Sequence, residues 1–492
     1  VEAMVKGEMK HKLKTGAEFK ASLDDGRQLW VNGKKLEKVT DEPALAAGVD
    51  LLASMFDDQF TEEHADATTV TDSATGEVYS RSWQIPRTLA ELQDRRKMIE
   101  YTSLKTGGTF GRPPDLAPAI AVGLYAYLPT FKAKKSTFDG CQPDFAENIE
   151  RYLAYGRDNN LTASESLTGP QTDRSSLKAG EASLLRVKSI ERGGIRVSGA
   201  KTVGSIAAQA NEIFFTNLGG IQETPAEACI WGSVPINSEG IRMISREMVS
   251  HPNADPFDHP VACKGEEADQ FIIFDNVFVP TDRIFNLGDP SAMQYYGPVC
   301  TFAHWHVLTR LAVKAELFVG AGQLVLDVLG TGKIPAVQSM LGELIEYAQT
   351  LRAFVYAAEA KAKLTEGEVM APDVGMLTAG RLYSIQHYPR IIHILQEMCG
   401  QGLVMRFGKA AFDNPEIGHY LRDLLVGHGA SAMEKEQLMN FIWDMTTSSL
   451  AGRVALFENV NSSPAPRLRA RLFEEVKRDV FVNQVKKLAG LA

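Results

Sequence analysis

The chain is 492 residues long, more than one hydrophobic core usually serves, so two or three domains and room for a buried cofactor are expected. Its net charge of −9 is spread without any long Lys/Arg run, and no stretch of about 18 uninterrupted apolar residues occurs, so neither nucleic acid nor a membrane is an expected partner. Nothing apolar backs the basic start at Lys6, Lys10, His11, Lys12 and Lys14, which predicts a cytoplasmic protein.

Thr15 to Leu23 has the pattern of a short capped helix, and Asn32-Gly33 between apolar alternations is a two-residue hairpin signal. Helical spacing follows from Glu42 to about Phe60, Thr88 to Thr106, Pro118 to Phe131 and Asp144 to Asp158. Pro113 and Pro114 interrupt this series and hold the loop from Gly107 to Leu116 extended. Residues 1–160 are therefore predicted to be mainly helical, with an early β-hairpin.

The texture changes after Asn160. Leu161 to Ser175 is rich in hydroxyls and broken by Gly169-Pro170, which predicts a loop. Strand-like runs then cover Ser183–Ile190, Ile195–Val203, Ile213–Thr216, Ala228–Pro235 and Phe271–Val279, a β domain over 161–290. Within it, Gly193 to Asn211 carries little side-chain bulk. If extended, Lys201, Val203 and Ser205 share one face and Thr202, Gly204 and Ile206 the other, so a planar ligand could lie against the backbone within reach of a hydroxyl. From 291 to 492 the pattern reverts to long helices at roughly 302–330, 334–366, 370–401, 430–446 and 465–488, joined by short turns, which predicts a bundle.

Familiar catalytic signatures are missing. Gly330-Thr-Gly-Lys333 lacks Walker spacing, Gly400-Gln-Gly402 follows no strand, and no Gly-x-Ser-x-Gly elbow occurs. The five cysteines are far apart and form no close pair, so buried free thiols are expected rather than disulfides or a metal site. His304 and His306 have no acidic residue spaced to complete a metal site, and read as pocket-lining or structural.

Seven blocks fall in one order along the chain: Thr15-Gly-Ala-Glu-Phe19 with the Val31-Asn-Gly33 hairpin, Gly111-Arg-Pro-Pro-Asp115, Pro170-Gln-Thr-Asp-Arg-Ser175, Val197-Ser-Gly-Ala-Lys201, Asp255-Pro-Phe-Asp-His-Pro260, Phe274-Asp-Asn-Val-Phe-Val-Pro280 and Thr309-Arg-Leu-Ala-Val-Lys314. Together they resemble the oxygenase component of the two-component, FAD-dependent 4-hydroxyphenylacetate 3-hydroxylase family. The resemblance implies an acyl-CoA dehydrogenase-like fold, α+β and mainly α, assembled as a dimer or tetramer. It also implies reduced FAD from a separate NAD(P)H-dependent reductase, O2 as co-substrate, and hydroxylation of an aromatic ring through a flavin C4a-hydroperoxide. Such a site must exclude water, place a donor near flavin N5 and hold the ring near the reacting oxygen.

Carried over by position, Ser205 stands where the family has a Thr near flavin N5. Thr168, Gly169 and Gln171 match the loop beside the flavin ring, and Thr202 the adjoining strand. Ser448, Ser449 and Arg453 resemble a C-terminal segment near the cofactor. Gly400, Gln401 and Gly402 resemble the turn through which a neighbouring subunit approaches FAD. Substrate recognition departs from the family: Arg112 is kept, but Leu116 replaces a phenol-gripping Tyr and Glu165 stands at a His position. A phenolate beside Glu165 would be repelled, whereas a ring N–H, an amine or a neutral hydroxyl could donate to it. Arg112, Glu165 and Ser205 are therefore the expected catalytic residues, and Arg112, Leu116, Glu165 and His304 the expected substrate contacts.

Three other readings compete. An iron–sulfur dehydratase branch of the family needs a close cysteine pair in the helical domain, and none lies between Tyr101 and Phe131. An acyl-CoA dehydrogenase-like flavoprotein needs a Glu base in the bundle, where Glu316, Glu343 and Glu346 look like ordinary helix residues. A non-catalytic scaffold would have no need of the flavin-side hydroxyls.

Overall fold

A computed structural model of the chain describes residues 11–173, 175, 183–217, 224–461 and 464–491. Lys6, Lys10 and Arg174 lie outside the described residues.

Local signals set the N-terminal elements. Thr15 caps the helix Gly16–Ser22 in a reciprocal capping box with Glu18. Asn32 and Gly33 both take positive φ, 50° and 76°, which joins strands Leu29–Val31 and Lys34–Leu36 in a tight turn. The helices Pro43–Asp58, Leu89–Lys105 and Phe145–Asp158 form where helical spacing predicts them. The expected helix 118–131 is instead two, Leu116–Tyr125 and Leu128–Ala133.

Two sheets make the middle of the molecule. The larger runs in the order Lys34–Leu36, Leu29–Val31, Ile241–Ser245, Asp269–Pro280, Gly194–Ser205 and Arg186–Glu191. The N-terminal hairpin thus joins the middle sheet, through a parallel pairing of Leu29 with Met243. The smaller sheet runs Ile284–Leu287, Ile230–Pro235, Glu212–Thr216 and Ala163–Ser166. Phe215 from this sheet meets Phe274 of the larger one edge to face, ring centroids 5.4 Å apart. Ala163–Ser166 overturns the expectation of a loop: it is a strand parallel to Glu212–Thr216. The buried Ser164 hydroxyl partners the backbone there, its Oγ donating to the Ser205 carbonyl at 2.7 Å. Ile241–Ser245 and Ile284–Leu287 are strands without a sequence expectation.

Long helices Thr301–Leu329, Pro335–Ala360, Val374–Cys399 and Ala432–Thr446 form the bundle. The helix expected over 334–366 stops at Ala360, because Gly367, Glu368 (φ 56°) and Pro372 form a small hairpin of Lys363–Leu364 with Met370–Ala371. The one expected over 465–488 is divided into Ala465–Glu475 and Asp479–Ala489. Short helices, not a short turn, fill the path from Gln401 to Leu424. The result is the mainly α, helix–sheet–bundle order of an acyl-CoA dehydrogenase-like fold. None of the described helices is long and apolar enough to cross a membrane.

Candidate active site

The sheets, the bundle and the C-terminal helices line a partly open cavity of about 1400 Å³. One wall comes from the small-residue strand. Val203 there takes φ 53° at the point where the register with Gln270 and Ile272 slips, a strained conformation for a β-branched residue, costing about 1–3 kcal/mol. Pairing resumes on both sides of it, one residue out of step. A Cβ at the neighbouring Gly204 would meet Ile272 Cδ1 at 2.5 Å, so glycine lets the strands close beneath the cavity.

Ser205 lies on this wall, 1% exposed, and its Oγ donates to Asp269 Oδ1 at 2.7 Å. Asp269 also accepts from Arg246 Nε (2.7 Å) and from Arg453 Nη2 (2.6 Å). Burial alone would raise the Asp269 carboxyl, but Arg453 and Arg246 outweigh it and hold it below its ordinary value. The carboxylate can only accept, so the Ser205 proton is committed to it. Ser205 therefore offers the cavity acceptor lone pairs, not the donor expected from sequence.

Thr202 N–H donates to the Thr168 carbonyl at 2.9 Å, which docks the loop carrying Thr168 and Gln171 against the strand. Lys201, fully buried, secures the same loop: its Nζ donates to Asn217 Oδ1 at 2.6 Å and to the Leu167 carbonyl at 3.3 Å. Burial pushes this ammonium down to about 7.

Next to this network Arg112 Nε donates to Glu165 Oε1, with both side chains largely buried. The backbone N–H of Arg112 donates to Glu267 Oε2 at 2.6 Å, and Glu267 Oε1 accepts from Arg453 at 2.7 Å. Burial would lower the Arg112 guanidinium, but Glu165 and Glu267 raise it overall. Arg112 and Arg453 both lie over the ring of Phe457, at 4.9 and 4.4 Å from its centroid. A Cβ at Gly111 would stand 2.1 Å from that ring, so only glycine admits it. Leu116 completes this side as an apolar contact.

His304 lines the cavity, and His306, two residues along the same helix, points elsewhere and bonds Asp115 Oδ2 through Nε2 at 2.9 Å. Asp115 is thereby engaged by His306, while Arg112 pairs with Glu165. Among the described residues no group of three or more His, Cys, Asp or Glu side chains is placed to hold a metal ion.

The cavity thus brings together Arg112, Leu116, Glu165, Thr168, Gln171, Ser205, His304 and Arg453. Gly169 and Thr202 lie beside it. Ser448 and Ser449 do not line it: Ser448 caps the helix Ser449–Leu456, which in turn presents Arg453. Gly400, Gln401 and Gly402 sit at the end of the helix Val374–Cys399, away from the cavity of the single chain. Asp269, Arg246, Phe457, Arg381 and Arg471 are cavity residues that sequence reasoning missed. The acidic run Glu266, Glu267 and Asp269 was the available signal, since three such groups beside a buried strand need cations.

The residues present fit a flavin dinucleotide. The volume exceeds that of ordinary small-ligand pockets, about 300–1,000 Å³. The strand offers a wall without bulk, and Ser205 offers an acceptor for a ring N–H.

Comparison with known proteins agrees. Residues 15–286 match the family described as 4-hydroxyphenylacetate 3-hydroxylase N terminal, and residues 292–490 its C-terminal counterpart. The oxygenase component of 4-nitrophenol 4-monooxygenase/4-nitrocatechol 2-monooxygenase from Rhodococcus opacus is 30% identical over 475 residues, covering 95% of this chain and 89% of that protein. The 4-hydroxyphenylacetate 3-monooxygenase oxygenase component of Thermus thermophilus is 28% identical over 482 residues, 96% of each chain. A crystal structure of a 4-hydroxyphenylacetate 3-monooxygenase oxygenase component complexed with FAD superposes with a TM-score of 0.89 at 27% identity, covering 96% of this chain and 98% of that one. The chain belongs to the 4-hydroxyphenylacetate 3-hydroxylase family.

Proposed function

We propose that the chain is the oxygenase component of a two-component flavin monooxygenase that hydroxylates an aromatic or N-heteroaromatic substrate with reduced FAD and O2. The observation that carries this is a cavity in which the buried Ser205–Asp269–Arg453 network lies beside the Arg112–Glu165 pair. Bound reduced FAD supplies the activation of dioxygen, one atom of which enters the ring while the other leaves as water.

The chain's own residues do the rest. Arg246 and Arg453 hold Asp269 ionised, and Asp269 fixes the Ser205 hydroxyl as an acceptor at one point of the wall. Arg112 uses Nε on Glu165 and Nη1 on the Gly111 carbonyl (3.1 Å), which leaves Nη2 to donate to an acceptor on the substrate. Glu165 Oε2 is then placed to accept from a ring N–H or O–H and to take its proton as the ring is attacked. Leu116 and Phe457 keep water from the pair.

Residues 1–160, 161–290 and 291–492 are taken as the helical, β and bundle units, with the early hairpin seated on the β unit. The remaining partners in this reading are an NAD(P)H-dependent flavin reductase and further copies of the chain, in the cytoplasm. A dehydrogenase is less well supported, because Glu316 is held by Arg352 (2.8 Å) and Glu343 by Arg390 (3.0 Å), and neither these nor Glu346 lines the cavity.

The test supplies photoreduced FAD, without nicotinamide, to the purified chain and a panel of phenols, aminophenols and N-heteroaromatics under isotopically labelled dioxygen. Product bearing one labelled oxygen is expected. No labelled oxygen in any product, together with anaerobic reduction of oxidised FAD by a member of the panel, would instead establish a dehydrogenase.

A further inference from the structure

Pro113 and Pro114, directly after Arg112, have no N–H to give, so side chains must hold this part of the loop. At the start of the loop a Cβ on Gly108 would stand 2.9 Å from Lys314, and the Gly108 carbonyl accepts from Arg310 Nη1 at 3.5 Å. At its end Asp115 Oδ2 accepts from His306 Nε2 at 2.9 Å. His306, Arg310 and Lys314 all belong to the helix Thr301–Leu329. The loop is thus pinned twice to one helix, and His306 and Lys314 are separated by a rise of about 12 Å at roughly 1.5 Å per residue. Arg112 is presented from the arc between the pins.

Asp115 stands at the N-terminal cap of the helix Leu116–Tyr125, where an aspartate ordinarily accepts from N–H groups of the first turn, yet its side chain makes no such bond. The carboxylate, 3% exposed, turns to His306 instead, with Thr102 Oγ1 a longer contact at 3.4 Å. Arg95 acts on it by charge: burial lowers that guanidinium to about 10 against the pull of Asp115, while its Nη1 is taken by the Arg81 and Gln84 carbonyls. A carboxylate only accepts, so His306 Nε2 bears the proton of the bond. His306 is fully buried and does not line the cavity. Its neighbours His304 and Val307 do, as do Arg112 and Leu116 on either side of Asp115.

We propose that His306 is a positioning residue for the hydroxylation: by holding Asp115 it sets how far Arg112 and Leu116 stand from the helix face of His304 and Val307, and so the width of the cavity where the substrate lies. The inference rests on the hydroxylase reading and adds to it a residue that touches neither substrate nor flavin. Without the bond Asp115 keeps the 3.4 Å contact of Thr102 and the charge of Arg95. A buried carboxylate that loses its donor is drawn toward water, and the arc bearing Arg112 and Leu116 moves with it.

The experiment compares wild type, His306→Leu, His306→Asn and His306→Gln by hydrogen–deuterium exchange and by turnover with photoreduced FAD and labelled dioxygen. The Gln amide can take the place of Nε2–H, whereas the shorter Asn amide does not reach Asp115 and Leu has no donor. In the Leu and Asn variants the amides of 107–116, among them the Arg112 N–H that donates to Glu267, should exchange at least ~tenfold faster than in wild type. Residues 194–205 should keep their wild-type exchange, and Gln should restore the loop. With the member of the phenol, aminophenol and N-heteroaromatic panel that wild type hydroxylates, the Leu and Asn variants should raise KM at least ~tenfold and release more hydrogen peroxide per product, with FAD affinity near wild type. If the Leu variant does not fold, Asn against Gln carries the comparison. Loop exchange unchanged in Asn, or raised equally in Gln, overturns the proposal, as does a rise spread evenly over the chain, which a merely structural bond would give. A loosened loop with wild-type KM and coupling overturns it too. A wild type that puts no labelled oxygen into any panel compound would instead count against the hydroxylase reading, while loop exchange still decides what His306 holds, so the two failures are distinct.

Discussion

Lys201 offers the sharpest physical test. Its ammonium is fully buried, with Asn217 Oδ1 at 2.6 Å and the Leu167 carbonyl at 3.3 Å as partners. Burial brings it from 10.5 in the unfolded chain to about 7 in the folded one. Between those values the unfolded chain binds about one proton more than the folded chain, so stability rises with pH across that window; below pH 7 both forms are charged and the penalty is complete. At about 1.4 kcal/mol per unit, the rise amounts to about 3 kcal/mol between pH 6.5 and pH 9.5. Lys201→Met removes this titration and leaves two acceptors unsatisfied, at about 1–3 kcal/mol each. The variant should therefore be close to wild type in stability at pH 6.5 and less stable than wild type at pH 9.5. Urea unfolding at the two pH values measures the difference. A gap between variant and wild type that does not change with pH would refute the reasoning, because it would mean that Lys201 titrates alike in both states. FAD affinity should also fall severalfold, since the Leu167 carbonyl anchors the loop bearing Thr168 and Gln171.

Three further outcomes are expected. Ser205→Ala leaves Asp269 bonded to Arg246 and Arg453, so FAD binding should be nearly intact while hydrogen peroxide release rises relative to product; unchanged coupling of oxygen use to product would count against the role of the hydroxyl. Glu165→Gln and Arg112→Met each strand one partner of a buried pair and should weaken substrate binding or turnover by at least ~30-fold, equivalent to about 2 kcal/mol; a Glu165→Gln enzyme with wild-type rate and affinity would show that the substrate does not engage Glu165. Val404 and Met405, directly after the Gly400–Gly402 turn, and Leu424 and Val426 further along are 60–78% exposed in the single chain, so sedimentation should show an oligomer. A stable, FAD-competent monomer at micromolar concentration would contradict that.

What was legible in the sequence is what neighbouring residues decide. The capped helix at Thr15 and the Asn32-Gly33 turn each close within a few residues, and they form as read. The small-residue strand was legible because its lack of bulk is a property of the strand itself. Ala163–Ser166 was not, since small hydroxyl residues favour loops unless a partner strand claims the backbone, and Glu212–Thr216 lies almost fifty residues away. The cavity network fails the same test: Arg453 and Asp269 are 184 residues apart, and only the folded bundle brings them to 2.6 Å. Arg471 was placed correctly on a helix, but which way that helix faces depends on its docking against Gly297 and His304.

The C-terminal segment also explains how bundle stability reaches the cavity. Glu458 is buried one residue after Phe457, where it accepts from Arg310 Nη2 at 2.9 Å and Lys314 Nζ at 2.7 Å. Burial would raise its carboxyl, yet the two cations hold it well below the ordinary range, and they in turn would be stranded without it. The turn Phe457–Asn461 is therefore bolted to the helix Thr301–Leu329 by charge. Gly108, at φ 68°, lets the loop approach the same Lys314, with a notional Cβ only 2.9 Å from its side chain. The Gly111 loop and the Phe457 turn consequently refer to one helix, and the distance between them is set before any ligand arrives. Arg112 and Arg453 inherit that distance by lying over the same ring. A side chain at position 111 would push Phe457 away and so separate the guanidinium that pairs with Glu165 from the one that holds Asp269, without touching either.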